Sequence, residues 1–193
     1  MPTLRLPFSL LFLAVVISAT TTTTSDFITS SCTTTTYPSL CIQSLSPYAK
    51  TIKHNPTHLA RAALTVSLNR SESAQAYLQK LTRSNGLNPR QRSAVGDCLE
   101  EVSDSLDRVR NSIKELKSMD RVKATHEEYV MHMSNVQTWV SSALTDENTC
   151  MDGFSGQDME GRIRSSIRTH ITDVAHLTSN ALALINHIAE KHS

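Results

Sequence analysis

Four acidic side chains, Asp97, Glu100, Asp104 and Asp107, recur along this 193-residue chain at spacings of three and four. On a helix that spacing stacks them on one face, turned away from the apolar set Leu99, Val102 and Leu106. As a bare pattern this is a solvated helix face. As chemistry it is a ridge of ionised carboxylates, which accept strong charge-assisted hydrogen bonds from the donors of a partner. Thr149 and Asp152 flank Cys150. They extend the ridge if a bond to Cys150 brings them beside Glu100.

Other residue types carry candidate chemistry of their own. His54 and His58 are four apart, a spacing that can share a metal on one helix turn. Pro56 stands between them and no third ligand is evident, so chance surface histidines are the simpler reading. Met131-His132-Met133 invites a copper site, but Met133 already belongs to an apolar stripe. Trp139 can stack on a ligand or, more simply, pack at a core edge. Asn69-Arg70-Ser71 is an N-x-[ST] sequon with a permitted middle residue and makes Asn69 a candidate glycosylation site. No GxSxG, HExxH or P-loop sequence occurs. Carboxylates on an exposed helix also lack the apolar enclosure that prepares an acid for catalysis. The expectation is a protein that is not an enzyme and holds no metal or cofactor.

The N-terminus supplies the compartment. Arg5 gives a positive start, Leu6 to Ile17 is mostly apolar, and Ser18-Ala19-Thr20 is small. This reads as a secretory signal peptide within residues 1–25, too short in its apolar run to span a bilayer. Removing residues 1–25, whose single charge is Arg5, leaves Lys+Arg and Asp+Glu equal at 18. That balance excludes a general nucleic-acid binder, which needs a basic excess. The expectation is a secreted chain with oxidised cysteines. Four cysteines allow three connectivities. Cys32 and Cys41 flank a turn around Pro38 and close easily. Cys98 and Cys150 then close a loop of about 50 residues, worth roughly 3–4.5 kcal/mol on the chain-entropy argument.

The elements that must position these residues are helices. With 5 Gly, 6 Pro and 5% aromatic residues, the chain is neither a collagen-like nor a disordered Gly/Pro-rich one. Apolar residues fall at steps of three and four in four stretches. One runs Val95, Cys98, Leu99, Val102, Leu106, Val109, Ile113, Leu116, with Asn88 as N-cap and Pro89 as first helical residue. A second runs Tyr129, Val130, Met133, Val136, Val140, Ala143, Leu144. A third runs Ile163, Ile167, Ile171, Val174, Leu177, Ala181, Leu184, Ile185, Ile188. A weaker one holds Leu59, Ala62, Ala63, Val66, Ala76 and Leu81, starting at Asn55-Pro56. The pattern predicts an all-α, antiparallel four-helix bundle over residues 53–193. Residues 26–52, broken by Pro38 and Pro47, are expected to form a small helical hairpin before it. Cys150 lies just after the next helix pattern, near Gly153, so in an antiparallel pair it meets Cys98, early in the preceding helix.

Three stretches carry a resemblance to the plant invertase and pectin methylesterase inhibitor family. Ser31-Cys32-Thr33 through Tyr37-Pro38-Ser39-Leu40-Cys41 resembles its N-terminal hairpin. Asp97-Cys98-Leu99-Glu100-Glu101-Val102-Ser103-Asp104-Ser105-Leu106-Asp107 resembles its third-cysteine helix. Val136 to Thr145 together with Thr149-Cys150-Met151-Asp152-Gly153-Phe154 resembles its fourth-cysteine segment. The resemblance implies a hairpin-plus-bundle fold, disulfides joining first to second and third to fourth cysteine, and a cell-wall location in the apoplast. It implies pectin methylesterase as protein partner, covered at its pectin-binding cleft by acidic and hydroxyl side chains. The matching positions are Glu100, Asp104, Asp107, Thr149 and Asp152. The invertase branch carries a Pro-Lys-Phe triplet between the two cysteine helices, and Met119 to Tyr129 has none. Inhibition of acid invertase is therefore the alternative reading. Members of the family can exchange the hairpin between chains, which makes a homodimer a further expectation.

Overall fold

A computed structural model describes residues 24–119, 125–155 and 161–191. The expected leader at 1–25 lies outside the described residues except for Thr24 and Ser25, which are helical. Helix α1 covers residues 24–32 and α2 covers Pro38–Leu45. A single 3-10 turn, Ser46–Tyr48, leads into the short α3, Ala49–Ile52. Pro38 occupies the first turn of α2, and Pro47 sits in the 3-10 turn, where its missing N–H costs nothing. Four long helices follow: α4 Pro56–Thr82, α5 Pro89–Met119, α6 His126–Asp152 and α7 Arg162–Glu190. They pack antiparallel in a closed ring, α4 to α5 to α6 to α7 and back to α4. Among the described residues there is no strand, as the sequence pattern predicts.

The helix starts are written in local chemistry. Asn55 caps α4 by accepting the His58 N–H at 2.9 Å, with Pro56 next. Asn88 caps α5 by accepting the Gln91 N–H at 2.8 Å, and the Gln91 side chain accepts the Asn88 N–H in return at 3.1 Å. Thr125 and Glu128 form the same reciprocal box at the start of α6.

Each long helix buries one seam with alternating steps of three and four: 60, 64, 67, 71, 74, 78 on α4; 95, 98, 102, 105, 109, 112, 116 on α5; 133, 136, 140, 143, 147, 150 on α6; and 167, 171, 174, 178, 181, 185, 188 on α7. That is the near-heptad period of a left-handed bundle. Two apolar residues expected in the buried stripes are exposed instead. Val130 is 45% exposed because it falls one position off the row leading back from Met133. Ala76 is exposed because Ala74 and Leu78 hold the buried row of α4. The extent of α6 also differs: it continues through Cys150 to Asp152 instead of ending before it.

Both disulfides form, Cys32–Cys41 and Cys98–Cys150, and among the described residues no cysteine is free. The first is buried within the hairpin; the second joins α5 to α6 with its Cα atoms 4.3 Å apart. Side chains of α7 pin the hairpin to the bundle. Buried Asn180 of α7 accepts the Tyr37 N–H at 2.9 Å and donates to the Tyr37 carbonyl at 3.0 Å, while the Tyr37 ring stacks on His176 with centroids 3.7 Å apart.

Candidate partner-binding face

The α5–α6 seam sets the site. The Cys98–Cys150 bond fixes the register of the two helices. Two turns further along α5, Ser105 meets Glu147, and beyond it Arg108 meets Asp146. Leu106 and Val102 point into the core, which leaves Asp104 between them on the outer face. Asp97, Glu100, Asp104 and Asp107 are all exposed, so the acidic ridge stands on the surface as its spacing requires. Thr149 and Asp152 are exposed on the last turns of α6, on either side of the bonded cysteine. Thr149 already donates its hydroxyl hydrogen to the Thr145 carbonyl at 2.9 Å, so toward a partner its oxygen is left as an acceptor.

The ridge is not uniformly acidic. Arg108 donates to Asp146 at 2.7 Å and lies 3.9 Å from Asp104. Arg110 bridges Asp107 at 3.1 Å and Glu72 of α4 at 3.0 Å. Two flanking guanidinium groups thus hold the ridge between its neighbouring helices. Glu101, one position inward, is pushed up in pKa by desolvation and then by the charges of Asp146, Asp104 and Glu100. Asp146 is also raised, first by its burial and against the pull of Arg108. These carboxylates crowd one another, so a cationic patch on a partner relieves repulsion already present. Sequence spacing brought out Asp104 and Asp107; it passed over Glu101 and Asp146, which join the ridge only across the α5–α6 seam.

The remaining candidates separate. His54 lies outside α4 in a left-handed conformation at φ 61°, while His58 is inside the helix. Among the described residues no group of three or more His, Cys, Asp or Glu is placed to hold a metal ion. His132 contacts Glu115 at 2.8 Å, and this bond with that of Asn135 lowers the Glu115 pKa. Met133 is core, as expected. Trp139 is partly buried. Asn69 is exposed in mid-α4, at a groove of about 530 Å³ between the hairpin and the bundle.

The sequence profile of a family described as plant invertase/pectin methylesterase inhibitor matches residues 26–184. The chain belongs to the plant invertase/pectin methylesterase inhibitor family. Among relatives of this family, the chain is 54% identical over 157 residues to the "21 kDa protein" of Daucus carota, covering 81% of this chain and 80% of the relative. It is 47% identical over 159 residues to pectinesterase inhibitor 9 of Arabidopsis thaliana, covering 81% and 78%. A crystal structure of a mutant pectin methylesterase inhibitor from Arabidopsis shares the fold, with a TM-score of 0.63 at 22% identity over 80% of this chain and 92% of that one.

One buried group stands out in the core. Glu147 of α6 is fully buried where all four long helices meet. Its Oε1 accepts from Ser105 of α5 at 2.8 Å and from Thr178 of α7 at 2.9 Å. Thr178 is in turn 2.7 Å from Ser67 of α4. Its Oε2 has no hydrogen-bond partner among the described residues. Burial, opposed by the two hydroxyls, pushes the carboxyl up to about 8. This layer divides the core into an apolar cluster at the hairpin end and another around Cys98–Cys150 and Phe154. Its period was legible, since Glu147 falls on the row Val140, Ala143, Cys150. Its charge hid it from a hydropathy reading.

Proposed function

We propose that this protein is a secreted, non-covalent inhibitor of pectin methylesterase that covers the enzyme's pectin-binding cleft and so restrains removal of methyl esters from cell-wall pectin. The observation that carries the reading is the exposed α5–α6 ridge. Glu100, Asp104 and Asp107 stand on one helix, and Thr149 and Asp152 on the next, held in register by a disulfide. A cleft built to hold a polysaccharide bearing carboxylates presents donors, and an array of acceptors on a rigid bundle can satisfy them without ordering a flexible loop. The relatives named pectinesterase inhibitors support the esterase over acid invertase as target. The chain's action is occupancy of the cleft.

The domain reading goes with this: a leader within 1–25, then one inhibitor domain from 26, with the hairpin at 26–52. Secretion into the cell wall follows from that leader. Among the described residues no helix is long and apolar enough to cross a membrane. Exchange of the hairpin between two copies is the route proposed for any homodimer, because the Asn180–Tyr37 clamp would form equally well between chains; sedimentation of the purified protein tests it. A glycan at Asn69 would be added before α4 forms, since Ser71 of the sequon is buried and bonded to the Ser67 carbonyl at 3.0 Å. Intact mass of secreted protein reads it. The function is tested by titrating the protein into separate esterase and invertase assays, with Asp104→Ala/Asp107→Ala as the site variant. Invertase inhibition with an untouched esterase would overturn the reading.

A further inference from the structure

The charge of this chain balances overall but is segregated along the sequence. Residues 73–96 hold Lys80, Arg83, Arg90 and Arg92 and no acid. Residues 161–172 hold Arg162, Arg164 and Arg168 and no acid. Seven of the 19 Lys and Arg residues therefore lie in two acid-free stretches. The fold brings these stretches together. They are the end of α4 with the start of α5, and the start of α7. The Tyr77 hydroxyl donates to the Ser166 hydroxyl at 2.7 Å, and the Tyr77 ring lies 4.3 Å from that of His170. Beneath them Leu78, Leu87, Ala94 and Val95 share one core cluster with Ile167 and Phe154.

Six of the seven cations are exposed, and Arg164 is half-exposed. Arg92 spends its guanidinium on the α4 terminus, donating to the Thr82 carbonyl at 2.8 Å and the Ser84 carbonyl at 3.2 Å. Among the described residues no carboxylate lies within ion-pair distance of Lys80, Arg83, Arg162 or Arg168. Asp152, the last residue of α6, is an acidic side chain at this same end of the bundle and belongs to the ridge. The acidic ridge begins at Asp97, immediately after the basic stretch stops. The molecule thus has an acidic flank and a basic end.

We propose that this basic end binds an acidic polysaccharide, a run of free carboxylates of the kind that methyl-ester hydrolysis leaves on pectin. The inference rests on the esterase reading for its choice of ligand. The cations are spread over the end of α4 and the starts of α5 and α7, on a bundle on the order of 20 Å across. That distribution suits an extended polyanion better than one small anion. Arginine forks match carboxylates in pairs, and a field summed over several exposed charges attracts a polyanion in a salt-sensitive way. The ridge remains free for a protein while the end holds polysaccharide. The inhibitor is thereby retained where de-esterification has already occurred.

The test uses the secreted protein with no esterase present, so its failure is separate from failure of the inhibition assay. Binding is measured to polygalacturonate, to highly methyl-esterified pectin and to dextran sulfate, at low and high salt. Expected is binding to polygalacturonate that is lost at high salt and absent for the esterified polymer. Arg83→Gln/Arg162→Gln/Arg168→Gln should weaken it roughly tenfold, the product of three exposed pairs each worth a factor of about two. Its melting temperature and its esterase inhibition should stay at wild type. Equal binding to esterified pectin, equal or tighter binding to dextran sulfate, or an unaltered triple variant would each overturn the proposal.

Discussion

Glu147 makes a sharp prediction, because its ionisation and the fold oppose each other. The perturbation is pH, with Glu147→Gln as reference. The folded carboxyl titrates at about 8 and an ordinary glutamate at 4.5. The folded state therefore holds a proton that the unfolded state releases between these values. The stabilising contribution is complete below the unfolded value and is lost as pH rises through the folded one. The full difference corresponds to about 5 kcal/mol. Relaxation and water entry around an ionised carboxylate reduce this, so about 2–4 kcal/mol is the expected loss between pH 5 and 9. For a domain of this size that is a fall in Tm of roughly 5–15 °C. Glutamine keeps an oxygen to accept from Ser105 and Thr178 and cannot ionise. At pH 5 the variant should lie within about 1 kcal/mol of wild type, and at pH 9 it should be the more stable protein by about 2–4 kcal/mol. Urea denaturation of both proteins from pH 4.5 to 9 reads this directly. A constant difference between wild type and Glu147→Gln across that range would refute the reasoning, whatever slope the wild type shows from its other groups.

Two further predictions concern the parts that hold the ridge and the hairpin. Asn180→Leu removes both bonds to Tyr37 and leaves two backbone groups unpaired, so it should cost about 1–3 kcal/mol and increase amide exchange across residues 33–41 more than in α5; uniform exchange would contradict the clamp. Cys98→Ser/Cys150→Ser opens a loop with a sequence separation of 52 and should cost about 4 kcal/mol, measured by denaturant midpoint, with inhibition weakened as Thr149 and Asp152 lose their register to Glu100.

Much of this fold was legible in the residues, and the failures have physical causes. The stripes of α5 and α7 are strongly apolar and gave their buried faces directly. Asn88-Pro89 announced the start of α5, and the spacing of Cys98 and Cys150 announced the antiparallel partner. The α4 stripe looked weak because two of its central buried positions are Ser67 and Ser71, both fully buried. Hydropathy passes over serines whose hydroxyls are satisfied within the bundle. The same blindness hid Ser105, Thr178 and Glu147, which a strict count of three-and-four steps places on the seam. Val130 misled because it is apolar and adjacent to Tyr129, yet off the row. Asp104 and Asp107 could be read from a single helix. The part played by Glu101, Asp146 and Arg108 could not, since it depends on which face of α6 meets α5. The segregation of cations at 73–96 and 161–172 was visible as charge, but their meeting at one end required the fold.

In the proposed complex the exposed ridge on α5 and α6 occupies the esterase cleft. The most direct test is the inhibition constant against a cell-wall pectin methylesterase for wild type and Asp104→Ala/Asp107→Ala, with thermal stability followed alongside. Both carboxylates are exposed, with side chains 62% and 76% accessible, so the variant should fold with a stability change under about 1 kcal/mol. Carboxylates desolvated against cationic donors at an interface are worth about 2 kcal/mol or more each, so losing both should weaken inhibition by roughly a thousandfold. A stable variant that inhibits as tightly as wild type would contradict the account.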